Sequence, residues 1–122
     1  MHTLRQFFST RSRLLTKEDY SNVFNHSEKK ASNRYALLLA LPHSGPHHSR
    51  LGLIVAKKNV RSAVDRNRVK RLVREHFRRH PQTQTKDTIF MARKGIADLS
   101  NSEIRYHLQQ LWAKLDTVAA HP

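Results

Sequence analysis

The sequence predicts an α+β fold, a two-layer α/β sandwich in which helices cover a small mixed sheet, with elements in the order α, β, β, α, β, α. Apolar residues recur at helical spacing in three segments, and short, continuously apolar runs fit only for strands lie between them. The strand, helix, strand succession from residue 50 to 92 has the form of a βαβ crossover, which sets two strands parallel. The whole chain, 1–122, reads as one domain. At this length folding buries roughly two thirds of the surface the unfolded chain exposes, enough for one core without staples.

The first helix opens at Thr16, with Asp19 completing a capping box and Leu15 and Tyr20 placed to staple its start. It runs to about Asn25, and Tyr20, Val23 and Phe24 form one apolar or aromatic face. Asn25 to Asn33 is polar and breaks the pattern, whereas Tyr35 to Leu41 is a strand apolar on both faces. Pro42 to Ser49 is a turn by composition, and Leu51 to Ala56 is a second strand, expected to pair antiparallel with the first. The second helix runs from about Ser62 to His80, capped by Ser62 with Asp65 and stopped by Pro81. At ~100° per residue, Val69, Leu72, Val73 and Phe77 share its core-facing arc with His76. Thr88 to Ala92 is a third strand. Ser100 and Glu103 then open a last helix whose face is Ile104, Leu108, Leu111, Trp112 and Leu115, with a frayed tail after Asp116.

Charge narrows the function. The chain holds 23 Lys and Arg against 9 Asp and Glu, a formal net charge of +14, and such an excess asks for a polyanion. Ten of these cations, among them Lys57, Lys58, Arg61, Arg66, Arg68, Lys70, Arg71, Arg74 and Arg78, lie between residues 57 and 80 against only Asp65 and Glu75. On the second helix most of them share one arc with Asn67, a ladder about one turn apart that fits a phosphate backbone. The absence of cysteine excludes disulfides, zinc-thiolate sites and a cysteine nucleophile, and it agrees with a cytoplasmic protein. No apolar run approaches the ~20 residues of a membrane span, and the N-terminus, interrupted by Arg5, Arg11 and Arg13, lacks a secretory core. His43, His47 and His48 crowd one loop without metal-ligand spacing. The scattered acids offer no carboxylate cluster, so neither a catalytic residue nor a metal site is expected in the chain itself.

The run AKKNVRSAVDRNRVKRLVREHFR, Ala56 to Arg78, resembles the signature of the bacterial ribonuclease P protein family, whose hallmark is the Arg66-Asn67-Arg68 triplet. Supporting matches are Arg13-Leu14, Asp19-Tyr20, Val23-Phe24, Arg50-Leu51-Gly52-Leu53 and the run Phe90 to Gly95, and the likeness spans about residues 12–115, leaving flexible termini. The resemblance implies a small subunit that assists a catalytic RNA in removing the 5′ leader of precursor tRNA. It implies a left-handed βαβ crossover, in a fold akin to the second domain of a small-subunit ribosomal protein. The partners implied are the catalytic RNA and the precursor's leader, with no membrane and no obligate protein partner. No cofactor is expected on the protein, and magnesium is expected for the RNA-catalysed reaction. The basic helix, with Lys57, Lys58 and Arg61 before it, would meet the catalytic RNA. Carried onto this chain, the leader cleft would use Arg13, Tyr20, Phe24, Tyr35 and Lys57, with Tyr20 standing where a Phe is common.

From the residues alone, Tyr20 and Phe24 suit either a core or a base-stacking surface, and Asn67 either a local cap or an RNA contact. A ribosomal-protein-like or duplex-binding module that lays the same helix in a groove is the alternative function.

Overall fold

A computed structural model describes residues 13–14, 16–42, 48–80 and 85–117. The elements are α1 (Lys17–His26), β1 (Lys29–Ser32), β2 (Ala36–Pro42), β3 (Arg50–Ile54), α2 (Ala63–Arg79), β4 (Lys86–Ala92), a short 3-10 turn (Ile96–Asp98) and α3 (Asn101–Thr117). Each expected helix starts at its expected cap. The Asp19 amide donates to Thr16 Oγ1 at 3.0 Å and the Thr16 amide to Asp19 Oδ2 at 3.2 Å; Ser100 and Glu103 repeat the arrangement at 3.1 and 2.8 Å. The Asp65 amide donates to Ser62 Oγ at 3.3 Å. Leu15, Pro81, His43 and His47, which the sequence assigned to a staple, a stop and a loop, lie outside the described residues.

The sheet corrects two expectations. Its order is β1-β2-β4-β3. The strands expected to form an antiparallel hairpin, β2 and β3, are separated by β4, which runs antiparallel to β2 and parallel to β3. β4 takes this middle place because Ile89 and Phe90 bury their side chains on opposite faces of the sheet. The second correction is β1, which lies inside the segment read as a polar break. It pairs antiparallel with β2 and buries only Ala31 among its four side chains, so backbone pairing rather than an apolar pattern makes it a strand.

One face of the sheet, carrying Leu38, Ala40, Phe90 and Ala92, packs with Val69, Leu72, Val73 and Phe77 of α2 and Ile104, Leu108, Leu111, Trp112 and Leu115 of α3. The other, smaller core joins Val23 of α1 and Leu14 to Ile89, with Leu39, Leu41, Ile54 and Met91 around them. α1 and α2 therefore lie on opposite sides of the sheet with the outer edge of β3 between them. At the start of the parallel pair, Arg50 donates two bonds to Asp87, at 3.0 and 2.7 Å, and lies 3.6 Å from Asp19. That hydrogen bond first, then the charges of Asp87 and Asp19, raise the Arg50 pKa against the effect of burial.

Candidate nucleic-acid interface

The outer edge of β3 is where the two expected sites meet. An edge strand leaves alternate backbone groups unpaired, and two preceding segments satisfy them. Arg13 bridges Leu51 in parallel and the Leu14 amide donates to the Leu51 carbonyl at 3.1 Å, while the Leu53 amide donates to the Tyr20 hydroxyl at 3.2 Å. Tyr20 reaches the edge because residue 52 is glycine. A Cβ there would come within 2.9 Å of both Leu14 and the Tyr20 ring. The hydroxyl at position 20, where the family resemblance places a Phe, thus acquires a reason of its own.

A groove of about 190 Å³ follows this edge, lined by Arg13, Leu14, Tyr20, Leu51, Leu53, Lys70 and Arg74. Three of these residues are cations and none is a carboxylate. Burial first, and the charge of Arg13 second, lower the pKa of Arg74. Phe24, one turn along α1 from Tyr20, is 42 % exposed and so is not a core aromatic.

Two of the predicted cleft residues are not brought here. Tyr35 precedes β2 and packs on the opposite face of the sheet, its ring 4.8 Å from that of His107 in α3. The cause is the Asn33 turn, whose side-chain oxygen accepts from the amides of Tyr35 and Ala36 at 2.8 and 3.0 Å and sets the register of everything after it. Lys57 is exposed in the turn after β3 and does not line this groove.

The basic helix divides into two classes of cation. The arginines of the triplet are turned inward. Arg66 donates to the carbonyls of Val60 and Arg61 at 3.0 and 2.7 Å. Arg68 donates to the carbonyls of Ala97 and Leu99 at 2.9 and 3.3 Å and to Asn101 Oδ1 at 2.8 Å, with Asp65 at 3.7 Å. Arg68, expected among the RNA contacts, therefore clasps the loop before α3. Outward stand Asn67 and Arg71, both exposed, and Lys70, Arg74 and Arg78, half-buried; Arg71 keeps a loose pair with Glu75 at 3.7 Å. Arg68→Ala is expected to cost about 2 kcal/mol in a urea titration, and Arg68→Lys to recover little, because one ammonium cannot serve three separated acceptors. Full stability in Arg68→Ala would show the clasp to be idle.

A second groove, about 330 Å³, runs between α2 and α3 and is lined by Leu72, Glu75, His76, Arg79, His80, Arg105 and Gln109. No helix among the described residues is long and apolar enough to cross a membrane.

Comparisons with known proteins agree with one another. A family model described as Ribonuclease P matches residues 8–116. The chain is 43% identical over 109 residues to the ribonuclease P protein component of Pseudomonas aeruginosa, covering 88% of this chain and 80% of that one. It is 43% identical over 112 residues to the corresponding protein of Chromohalobacter salexigens, covering 91% and 87%. Among solved structures, the Staphylococcus aureus RNase P protein superimposes with a TM-score of 0.77 at 29% identity, covering 85% of this chain and 96% of that one. The RNase P protein of Thermotoga maritima, in complex with 1-(4-fluorophenyl)-2-thiourea, does so with 0.71 at 30%, covering 88% and 100%.

Proposed function

The chain belongs to the ribonuclease P protein family and acts in tRNA processing as the protein subunit of that ribonucleoprotein, and we propose that it holds the precursor's single-stranded 5′ leader in the groove at the β3 edge while the outward cations of α2 hold the catalytic RNA. The observation that carries this reading is the convergence of Arg13, Lys70 and Arg74 around Tyr20, with exposed Phe24 one turn away. A single strand is gripped by stacking bases on aromatic rings above a cationic floor, each stack contributing ~1–3 kcal/mol. Here the floor comes from α2 and the rings from α1. Lys70 and Arg74 thus sit where leader and catalytic RNA would adjoin.

The hydrolysis is assigned to the RNA. On this reading the RNA's phosphates hold the magnesium. The protein contributes binding and charge neutralisation.

Phe24→Ala in the reconstituted particle is expected to weaken precursor tRNA about tenfold and mature tRNA hardly at all. Tyr20→Phe, which keeps the ring and loses the bond to Leu53, separates stacking from the support of the strand edge. Equal weakening of precursor and mature tRNA by Phe24→Ala would remove the leader from the groove. Cleavage of the leader by the purified protein without RNA would move the chemistry onto the chain.

A further inference from the structure

Tyr20 carries a polar group that base stacking does not use. One side of its ring rests against the backbone of β3 at Gly52, where a Cβ would come within 2.9 Å of Cε2 and Cζ. Its hydroxyl accepts from the Leu53 amide at 3.2 Å. A phenol also has one proton to donate, and among the described residues that proton has no acceptor. Having accepted from an amide, the O–H is polarised and becomes the stronger donor. The other polar side chains lining the groove, Arg13, Lys70 and Arg74, are donors only. The carboxylate of Asp19, the residue before Tyr20, is engaged elsewhere, accepting from the Thr16 amide at 3.2 Å and facing Arg50 at 3.6 Å.

We propose that the Tyr20 hydroxyl is a specificity-determining group of the leader site, donating with Arg13, Lys70 and Arg74 to one phosphodiester of the leader and so fixing the register in which the leader enters. The inference rests on the reading of this groove as the leader's and names the part of the leader it takes. A phosphate follows from the donor set. A phosphodiester offers acceptors alone, whereas a base edge also carries N–H groups that these side chains cannot satisfy. Size agrees, because about 190 Å³ lies below the roughly 300 Å³ at which pockets for whole ligands begin. The groove has room for a backbone linkage and too little for a nucleotide with its base. The base beside that linkage is left to Phe24, exposed one turn along α1. A Phe at position 20 would keep the ring against Gly52 and supply no such donor.

The test uses precursor tRNAs that each carry one methylphosphonate linkage in the leader, which removes the charge of a single phosphate. Their binding is measured to the particle reconstituted with the native protein and with Tyr20→Phe, beside mature tRNA. The native particle is expected to lose about thirtyfold at one leader linkage, where several charged contacts go together. Tyr20→Phe is expected to weaken the unmodified precursor about tenfold, near the low end for one hydrogen bond to a charged group. At that linkage alone, Tyr20→Phe is expected to cost nothing further. Losses from Tyr20→Phe that multiply with those of every linkage overturn the proposal and leave the hydroxyl as a support of the strand edge. A native particle indifferent to every linkage overturns it too, and selective weakening of the precursor by Phe24→Ala then spares the leader reading. Equal weakening of precursor and mature tRNA by Phe24→Ala removes the leader from the groove, and both readings fall.

Discussion

Asp116→Ala is expected to cost about 3 kcal/mol of folding stability, and Lys86→Met in the same chain to return most of it. Lys86 opens β4 with its side chain wholly inaccessible, and its Nζ lies 3.4 Å from Asp116 Oδ1 near the end of α3. The other carboxylate oxygen of Asp116 lies 2.9 Å from His80 Nε2 at the C-cap of α2. One carboxylate thus ties strand, helix and helix at one end of the main core. Burial lowers the Lys86 pKa, and Asp116 is the chief influence holding the proton on. Removing the carboxylate leaves a cation in the core with no partner, a change that costs roughly 3–5 kcal/mol for buried pairs, taken at the low end because Asp116 keeps 18% of its side-chain exposure. Replacing the lysine by an apolar chain of similar length removes the charge that needed compensating, so the double variant is expected to be much more stable than the sum of the single changes. Strict additivity in urea titrations at pH 7 would show that the pair is not coupled.

Acid is expected to destabilise the protein through His76. This side chain lies on the core-facing arc of α2, its ring 5.0 Å from Trp112 and 5.2 Å from His80, with Nε2 buried and unbonded. Desolvation first, and the charge of His80 second, push its pKa down from 6.5 to about 4. Between those values the unfolded chain binds the proton and the folded chain does not. Stability is therefore complete above pH 6.5 and falls as the pH drops toward 4, by up to about 3 kcal/mol for this one group at 1.36 kcal/mol per pKa unit. His76→Phe keeps an aromatic ring against Trp112 and removes the titration. The urea midpoint of the native protein should fall steeply between pH 6.5 and 4.5, and that of the variant much less. Parallel curves would place the acid sensitivity elsewhere.

These two predictions depend chiefly on contacts across thirty or more residues, and the same division marks what could be read in advance. The three helices were legible because their causes are local. Thr16 with Asp19 and Ser100 with Glu103 satisfy amides three residues away, and the spacing of Val69, Leu72, Val73 and Phe77 defines a buried face on any helix. The basic surface of α2 was legible for the same reason, and so were Tyr20 and Phe24 as neighbours on α1. β1 was not, because Lys29–Ser32 carries one buried side chain and is a strand only through its pairing with β2.

Composition, net charge, helix faces and the motif that marks the family are properties of residues near one another in the chain, and the sequence by itself determined them. Only the tertiary structure decided that β4 enters between β2 and β3, that Tyr35 faces α3, and that Arg68 turns to the carbonyls of Ala97 and Leu99 while Arg74 turns to Arg13 and Tyr20. The physical reason is that a strand's partner and a guanidinium's acceptor are chosen by whichever unsatisfied backbone group lies nearest in space. Local spacing cannot specify a group 29 or more residues away.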